Sequence, residues 1–139
     1  MENIISTYLE NVEKDGTGIS GQVLEQVLNS LDFKLPTDYL GVMSEFETAE
    51  GPIGKNRWLT LFPLKDLRVI NERYISLMSA IPDYFLFGKD AADTAYAFHK
   101  IYHTFHGFGF MSDFDTDNIE YYGNSFEQFL RRLYEAWSI

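Results

Sequence analysis

The alternation of apolar and polar positions divides the chain into helix-period segments near both ends and short apolar runs between them. Ile4, Ile5, Tyr8, Leu9 and Val12 recur at helical spacing and predict a first helix. Asp15-Gly16-Thr17-Gly18 breaks it. Ser20 is placed to cap a second helix, whose apolar stripe is Val23, Leu24, Val27, Leu28 and Leu31. Both helices are short and need a docking surface to be stable. Leu35-Pro36-Thr37-Asp38-Tyr39 leads into a third helix, because proline suits a first helical turn, and Tyr39, Leu40, Met43 and Phe46 supply its inner face. Gly51-Pro52-Ile53-Gly54 reads as a loop.

Residues 57–62 predict a strand that Pro63 ends. The helix that Pro63 opens turns Leu67, Ile70, Tyr74, Leu77, Met78 and Ile81 inward, and Pro82 stops it. Strands are expected at 84–88, 94–98 and 101–105, with Gly107-Phe108-Gly109 turning the chain. An acidic loop follows, then a strand at 119–122. Ser125 and Gln128 stand at capping-box spacing before a last helix with Phe126, Phe129, Leu130, Leu133 and Trp137 on its core face. This order predicts an α+β fold: a mainly antiparallel sheet covered by N-terminal, middle and C-terminal helices, in one domain spanning 1–139.

Composition narrows the picture. An apolar share of 45% supports a packed core and argues against disorder. Without cysteine there are no disulfides or thiolate metal sites, which leans towards a reducing compartment. Met1-Glu2-Asn3-Ile4-Ile5 has neither the basic nor the apolar region of a signal peptide, and no apolar run approaches the ~20 residues of a membrane span. A soluble, cytoplasmic protein is expected. The net charge is −10, and residues 76–130 hold Asp83, Asp90, Asp93, Asp113, Asp115, Asp117, Glu120 and Glu127 against only Lys89 and Lys100. Such a field repels nucleic acid and anionic lipid and attracts basic proteins, although it also serves plain solubility.

Two segments are candidates for chemistry. On a helix, His99 and His103 would share a face suited to zinc, but Lys100 stands where a zinc protease carries Glu. On a strand they would lie roughly 13 Å apart, and that is the favoured reading. Asp113, Asp115 and Asp117 sit at calcium-loop positions 1, 3 and 5. The required glycine and bidentate glutamate are replaced by Asn118 and Asn124, which leaves a solvated loop or a partner-binding surface. There is no Gly-x-Ser-x-Gly elbow and no phosphate-binding loop. No catalytic residue, metal or cofactor is expected, nor is a small-molecule ligand.

The ordered motifs resemble the SUKH superfamily. Residues 23–31 with Leu35-Pro36-Thr37-Asp38-Tyr39 look like its N-terminal signature. Trp58-Leu59-Thr60-Leu61-Phe62-Pro63-Leu64, with Leu67, Asn71 and Tyr74, is similar to its middle block. Ile81-Pro82-Asp83-Tyr84-Phe85-Leu86-Phe87-Gly88 and Tyr96-Ala97-Phe98 resemble its central strands, and Ser125 to Leu130 its closing helix. The likeness covers about residues 20–135 and departs from the family at residues 47–51 and 89–93, where its glycine-rich turns are missing.

The resemblance implies an α+β fold and, as in most bacterial members, an immunity protein that binds and neutralises a toxin domain. A nuclease toxin would offer a basic cleft to an acidic inhibitor. The expected partner is therefore a cognate toxin protein with a basic surface. Asp113, Asp115, Asp117 and Glu120 are the candidate charged contacts. Exposed members of Tyr121, Tyr122, Phe108 and Phe110 are the candidate anchors, although these aromatics suit the core equally well. The alternative is an intracellular scaffold or regulator on the same fold.

Overall fold

The computed structural model describes residues 3–115 and 118–136. Its framework is a seven-stranded sheet, antiparallel throughout, in which each strand pairs with the next along the chain. The strands are β1 (Glu13–Asp15), β2 (Thr48–Ile53), β3 (Arg57–Leu61), β4 (Tyr84–Lys89), β5 (Thr94–His99), β6 (Phe105–Gly109) and β7 (Glu120–Gly123). The helices are α1 (Asn3–Tyr8), α2 (Gly21–Asn29), α3 (Thr37–Met43), α4 (Leu67–Arg73), α5 (Ile75–Met78) and α6 (Phe126–Glu135). The α+β class and the placing of the helices are as the sequence predicts. None of the described helices is long and apolar enough to cross a membrane.

The larger part of the core lies on the face of the sheet that α3 and α6 cover. Register aligns Phe85, Phe98 and Phe105 across β4, β5 and β6. Helix α6 lays Phe126 and Phe129 over them, each 5.8 Å from the Phe105 ring between centroids. Tyr39 of α3 meets Phe126 and Phe87 edge-to-face, at 5.3 and 5.4 Å. Such contacts add about 0.5–1.5 kcal/mol per pair beyond the area they bury. The start of α6 satisfies its own backbone. Ser125 Oγ accepts from the Gln128 N–H at 3.1 Å, and Gln128 Oε1 accepts from the Asn124 N–H at 2.9 Å. Asp38 Oδ2 accepts from the Phe126 N–H at 2.7 Å, which ties α3 to α6. Three donors of that first turn region are thereby paired.

The sheet parts between β3 and β4, which pair only at Thr60 with Lys89 and Leu61 with Gly88. Further along β4, the Asn71 side chain takes the place of the missing strand. Its Nδ2 donates to the Leu86 carbonyl at 2.9 Å and its Oδ1 accepts from the Leu86 N–H at 2.8 Å. Nδ2 also donates to the Leu67 carbonyl at 2.8 Å, which fixes the amide to its own helix.

Several expectations are corrected. Residues 51–53 belong to β2, where they pair with Leu59, Trp58 and Arg57 of β3, and a Cβ on Gly51 would lie 2.9 Å from the Asn11 oxygen. Pairing with β1 ends at Glu50, so Pro52 has an open edge on that side. Gly107 and Gly109 lie in β6 and do not turn the chain; a Cβ on Gly107 would meet the Tyr122 ring at 2.6 Å. The strand expected at 101–105 is a turn from which only Phe105 enters β6. The helix expected after Pro63 is a 3-10 turn at Leu64–Asp66 followed by α4 and α5, which part at Tyr74 (φ −99°, ψ 28°). Helix α2 is capped by Ser20 but buries none of its residues fully. Trp137 lies outside the described residues.

Candidate partner-binding surface

The two faces of β4–β7 differ in character. Phe85, Phe98, Phe105 and Tyr122 point towards α3 and α6, while Leu86, Ala97, His106 and Tyr121 form one row on the other face. Part of that second face is covered. Tyr74 packs on Phe110 at 5.1 Å and Phe114 on Phe108 at 5.4 Å, so Leu86, Ala95, Ala97 and Phe108 are buried. The remaining part carries aromatic rings with polar tips. Tyr102 stacks on His99 at 4.6 Å, His99 meets Tyr84 at 5.1 Å, Tyr84 meets His106 at 5.1 Å, and His106 meets Tyr121 at 5.7 Å. Tyr102 is 74% exposed and Tyr121 51%.

The histidines hold this surface in place. His99 Nδ1 accepts from the N–H groups of Ile101 and Tyr102, both at 3.2 Å, so its proton belongs on Nε2. His103 takes a left-handed conformation (φ 56°), and its Nε2–H donates to the Lys34 carbonyl at 2.9 Å. The two residues therefore close a turn, with the His103 N–H on the His99 carbonyl at 2.9 Å; they are not spaced along a strand. His106 shares a hydrogen bond of 2.7 Å with Thr104 Oγ1. Burial holds the His106 pKa below its ordinary 6.5, against an opposing pull from the Glu120 main chain. Burial also raises the pKa of the Tyr84 hydroxyl, and the Asp83 carboxylate adds to that. Among the described residues no group of three His, Asp or Glu side chains could hold a metal ion.

The acidic residues converge in a way their spacing does not reveal. The β4–β5 connection carries Asp90 and Asp93, and the Phe110 N–H donates to the Asp93 carbonyl at 2.7 Å. The loop after β6, with Asp113 and Asp115, therefore sits beside that connection, and β7 enters from the same end with Glu120. Asp90 Oδ1 accepts from the N–H groups of Ala92 and Thr94, at 2.8 and 3.0 Å, and closes its loop without a glycine. Asp113 Oδ1 accepts from the Asp115 N–H at 3.1 Å. Asp93, Asp113, Asp115 and Glu120 are all exposed.

The expected contact residues do not share one face. Phe114, between Asp113 and Asp115 in the chain, packs on the face away from α3 and α6, and Tyr121 lies on that face too. Glu120 and Tyr122 lie on the helix side, where Arg132 reaches Glu120 at 3.9 Å and covers the Tyr122 ring at 4.6 Å. Phe108 and Tyr122 are buried and Phe110 is half-buried, so Tyr121 is the exposed anchor of the four. Asp117 lies outside the described residues. Sequence reasoning did not single out Tyr84 or Tyr102, and weighed His99 for zinc alone. The signal was present in the polar-tipped aromatics at the ends of adjoining strands, but pairing them requires the register. A shallow groove of about 620 Å³ adjoins Tyr84, between Phe33 and Lys100 on one side and Ile75 and Met78 on the other. Compared with models of known families and with curated proteins, the chain matches none.

Proposed function

We propose that this protein acts by binding another protein, as an immunity protein that neutralises a toxin domain with a basic surface, a nuclease being the best-fitting kind. The reading rests chiefly on the gathering of Asp90, Asp93, Asp113, Asp115 and Glu120, from three separate segments, at one end of the β4–β7 meander. Sixteen of the nineteen described carboxylate side chains are exposed, and none is buried. A negative end of this kind speeds association with a cationic surface and mimics the polyanion a nuclease grips. The resemblance of the chain to the SUKH superfamily points the same way. Action would be in the cytoplasm, by occlusion and without catalysis.

The test is a 1:1 complex with the toxin encoded beside this protein's gene, whose association rate drops as salt is raised from 50 to 500 mM. Cells expressing the protein should survive that toxin. Asp93→Asn, Asp113→Asn and Asp115→Asn together should slow association at least tenfold and leave the urea midpoint unchanged. No rescue from the neighbouring toxin, or a complex indifferent to salt and to the triple substitution, would refute the proposal.

A further inference from the structure

The stretch from Glu13 to Lys34 contains no buried residue, although it includes β1 and the whole of α2. Both of its ends are held. The Asp15 carbonyl accepts from the Glu47 N–H at 2.9 Å. A Cβ on Gly16 would lie 2.6 Å from the Glu47 Cβ, and one on Gly18 would lie 2.4 Å from the Ser44 oxygen, so the chain there is pressed against the connection between α3 and β2. At the other end Phe33 packs on Phe85 at 4.8 Å, and the Lys34 carbonyl accepts from His103. Between these ends, residues 19–31 rest on the core through Ile19, Leu24 and Leu31, each only half-buried. The fit is loose, since Ile19 and Val23 line a space of about 190 Å³ together with Met43, Phe46 and Leu64. Among the described residues, no hydrogen bond or ion pair joins 19–31 to the rest of the molecule; the Ser20 and Ser30 hydroxyls both bond within the segment. Elsewhere such ties exist, with Asp38 joining α3 to α6 and Asn71 joining α4 to β4. A helix of nine residues is marginal in water on its own, so α2 keeps its shape only while its few apolar side chains stay docked. We infer that residues 19–31 form a strap that opens as a unit, α2 melting as it lifts, while the sheet and the other helices stay folded. Opening uncovers Met43, Phe46 and Leu64, which are buried while the strap is closed.

Native-state hydrogen exchange on the intact protein tests this without a partner. The amides of residues 24–30 are hydrogen-bonded within α2, and the Phe98 amide lies in the middle of the sheet between β4 and β6. With intrinsic rates divided out, 24–30 should exchange roughly a hundredfold or more faster than Phe98. Leu133→Ala, in α6 beside Arg57 and Tyr122, empties a buried core position. It should speed exchange at Phe98 about tenfold or more, because that amide opens only with the whole domain, and leave 24–30 within about twofold of the unchanged protein. Urea below the unfolding transition gives the same separation with no substitution, should the variant not fold. Exchange at Phe98 should then rise steeply with urea while exchange at 24–30 barely responds, since lifting a strap exposes little surface. Exchange at 24–30 as slow as at Phe98, or rising in step with it in urea or in Leu133→Ala, overturns the inference.

Discussion

Asn71→Ala should be among the most damaging single changes to a half-buried residue of this protein. The amide pairs both backbone groups on the outer edge of Leu86, at 2.8 and 2.9 Å, where β3 has already left β4. Leu86 has no exposed surface, so water does not readily replace the lost partner. Each buried backbone group left unpaired costs about 1–3 kcal/mol, which puts the substitution at about 2–4 kcal/mol. That is a sizeable share of the ~5–15 kcal/mol that stabilises a typical domain. Asn71→Asp separates the two bonds. Its carboxylate still accepts from the Leu86 N–H but faces the Leu86 carbonyl without a donor, so it should cost at least as much as alanine. Urea unfolding gives the free energies, and amide exchange at Leu86 reports the edge directly. The alanine variant should speed that exchange more than exchange at Phe98, which pairs within the sheet at Phe85 and Phe105. A loss under about 0.5 kcal/mol with Leu86 exchange unchanged would refute the view that a side chain completes this edge.

Other consequences follow from single contacts. Gly54 has φ +64°, and a Cβ there would lie 2.1 Å from the Tyr134 oxygen, so Gly54→Ala should cost about 2–3 kcal/mol in urea unfolding. Ser125→Ala should cost about 1 kcal/mol, and more when Asp38→Ala also removes the acceptor of the Phe126 N–H, so the two losses should fail to add in a double-mutant cycle. The His106 pKa is depressed in the folded state, so the unfolded chain binds more protons just below pH 6.5. Stability is then full above pH 6.5 and declines as the pH falls through the lower folded value. His106→Gln should flatten that part of the urea midpoint–pH curve, and an unchanged slope would contradict the assignment.

What could be read in the chain was what is local. Ser20 and Ser125 both accept from the N–H three residues on, as their positions predict. Pro63 follows close on the end of β3 at Leu61, as expected of a residue without an N–H, whereas Pro82 stands beyond a helix that has already ended at Met78. The errors arose where a residue's role is set by something distant. Gly107 looks like a turn residue, yet its missing side chain makes room for the Tyr122 ring. Ile101 and Tyr102 have strand composition but lie 70% and 74% exposed on a turn that His99 organises. Strand β1 is Glu-Lys-Asp, exposed throughout, and carries no alternation; only its register with β2 makes it a strand. The acidic end was legible as composition but not as a place, since the segments that carry Asp93 and Asp113 come together only because β5 and β6 form a hairpin.

The same register explains why the aromatic row exists at all. On the face away from α3 and α6, β4 runs from Tyr84 to Leu86, β5 from Ala95 through Ala97 to His99, and β6 from His106 to Phe108. Each strand thus changes from polar-tipped aromatic to small or purely apolar along its length, and the direction of change reverses from strand to strand. Antiparallel pairing turns these opposed gradients into one: Tyr84, His99 and His106 assemble at one end, and Ala95 and Phe108 at the other. The apolar end is where Tyr74 and Phe114 give cover, and the other end is where cover stops. A face meant only for water would not need rings there, since threonine or lysine would serve the strands as well. Tyrosine and histidine suit the place where cover stops, because each packs an apolar ring against its neighbours and keeps a polar tip for water.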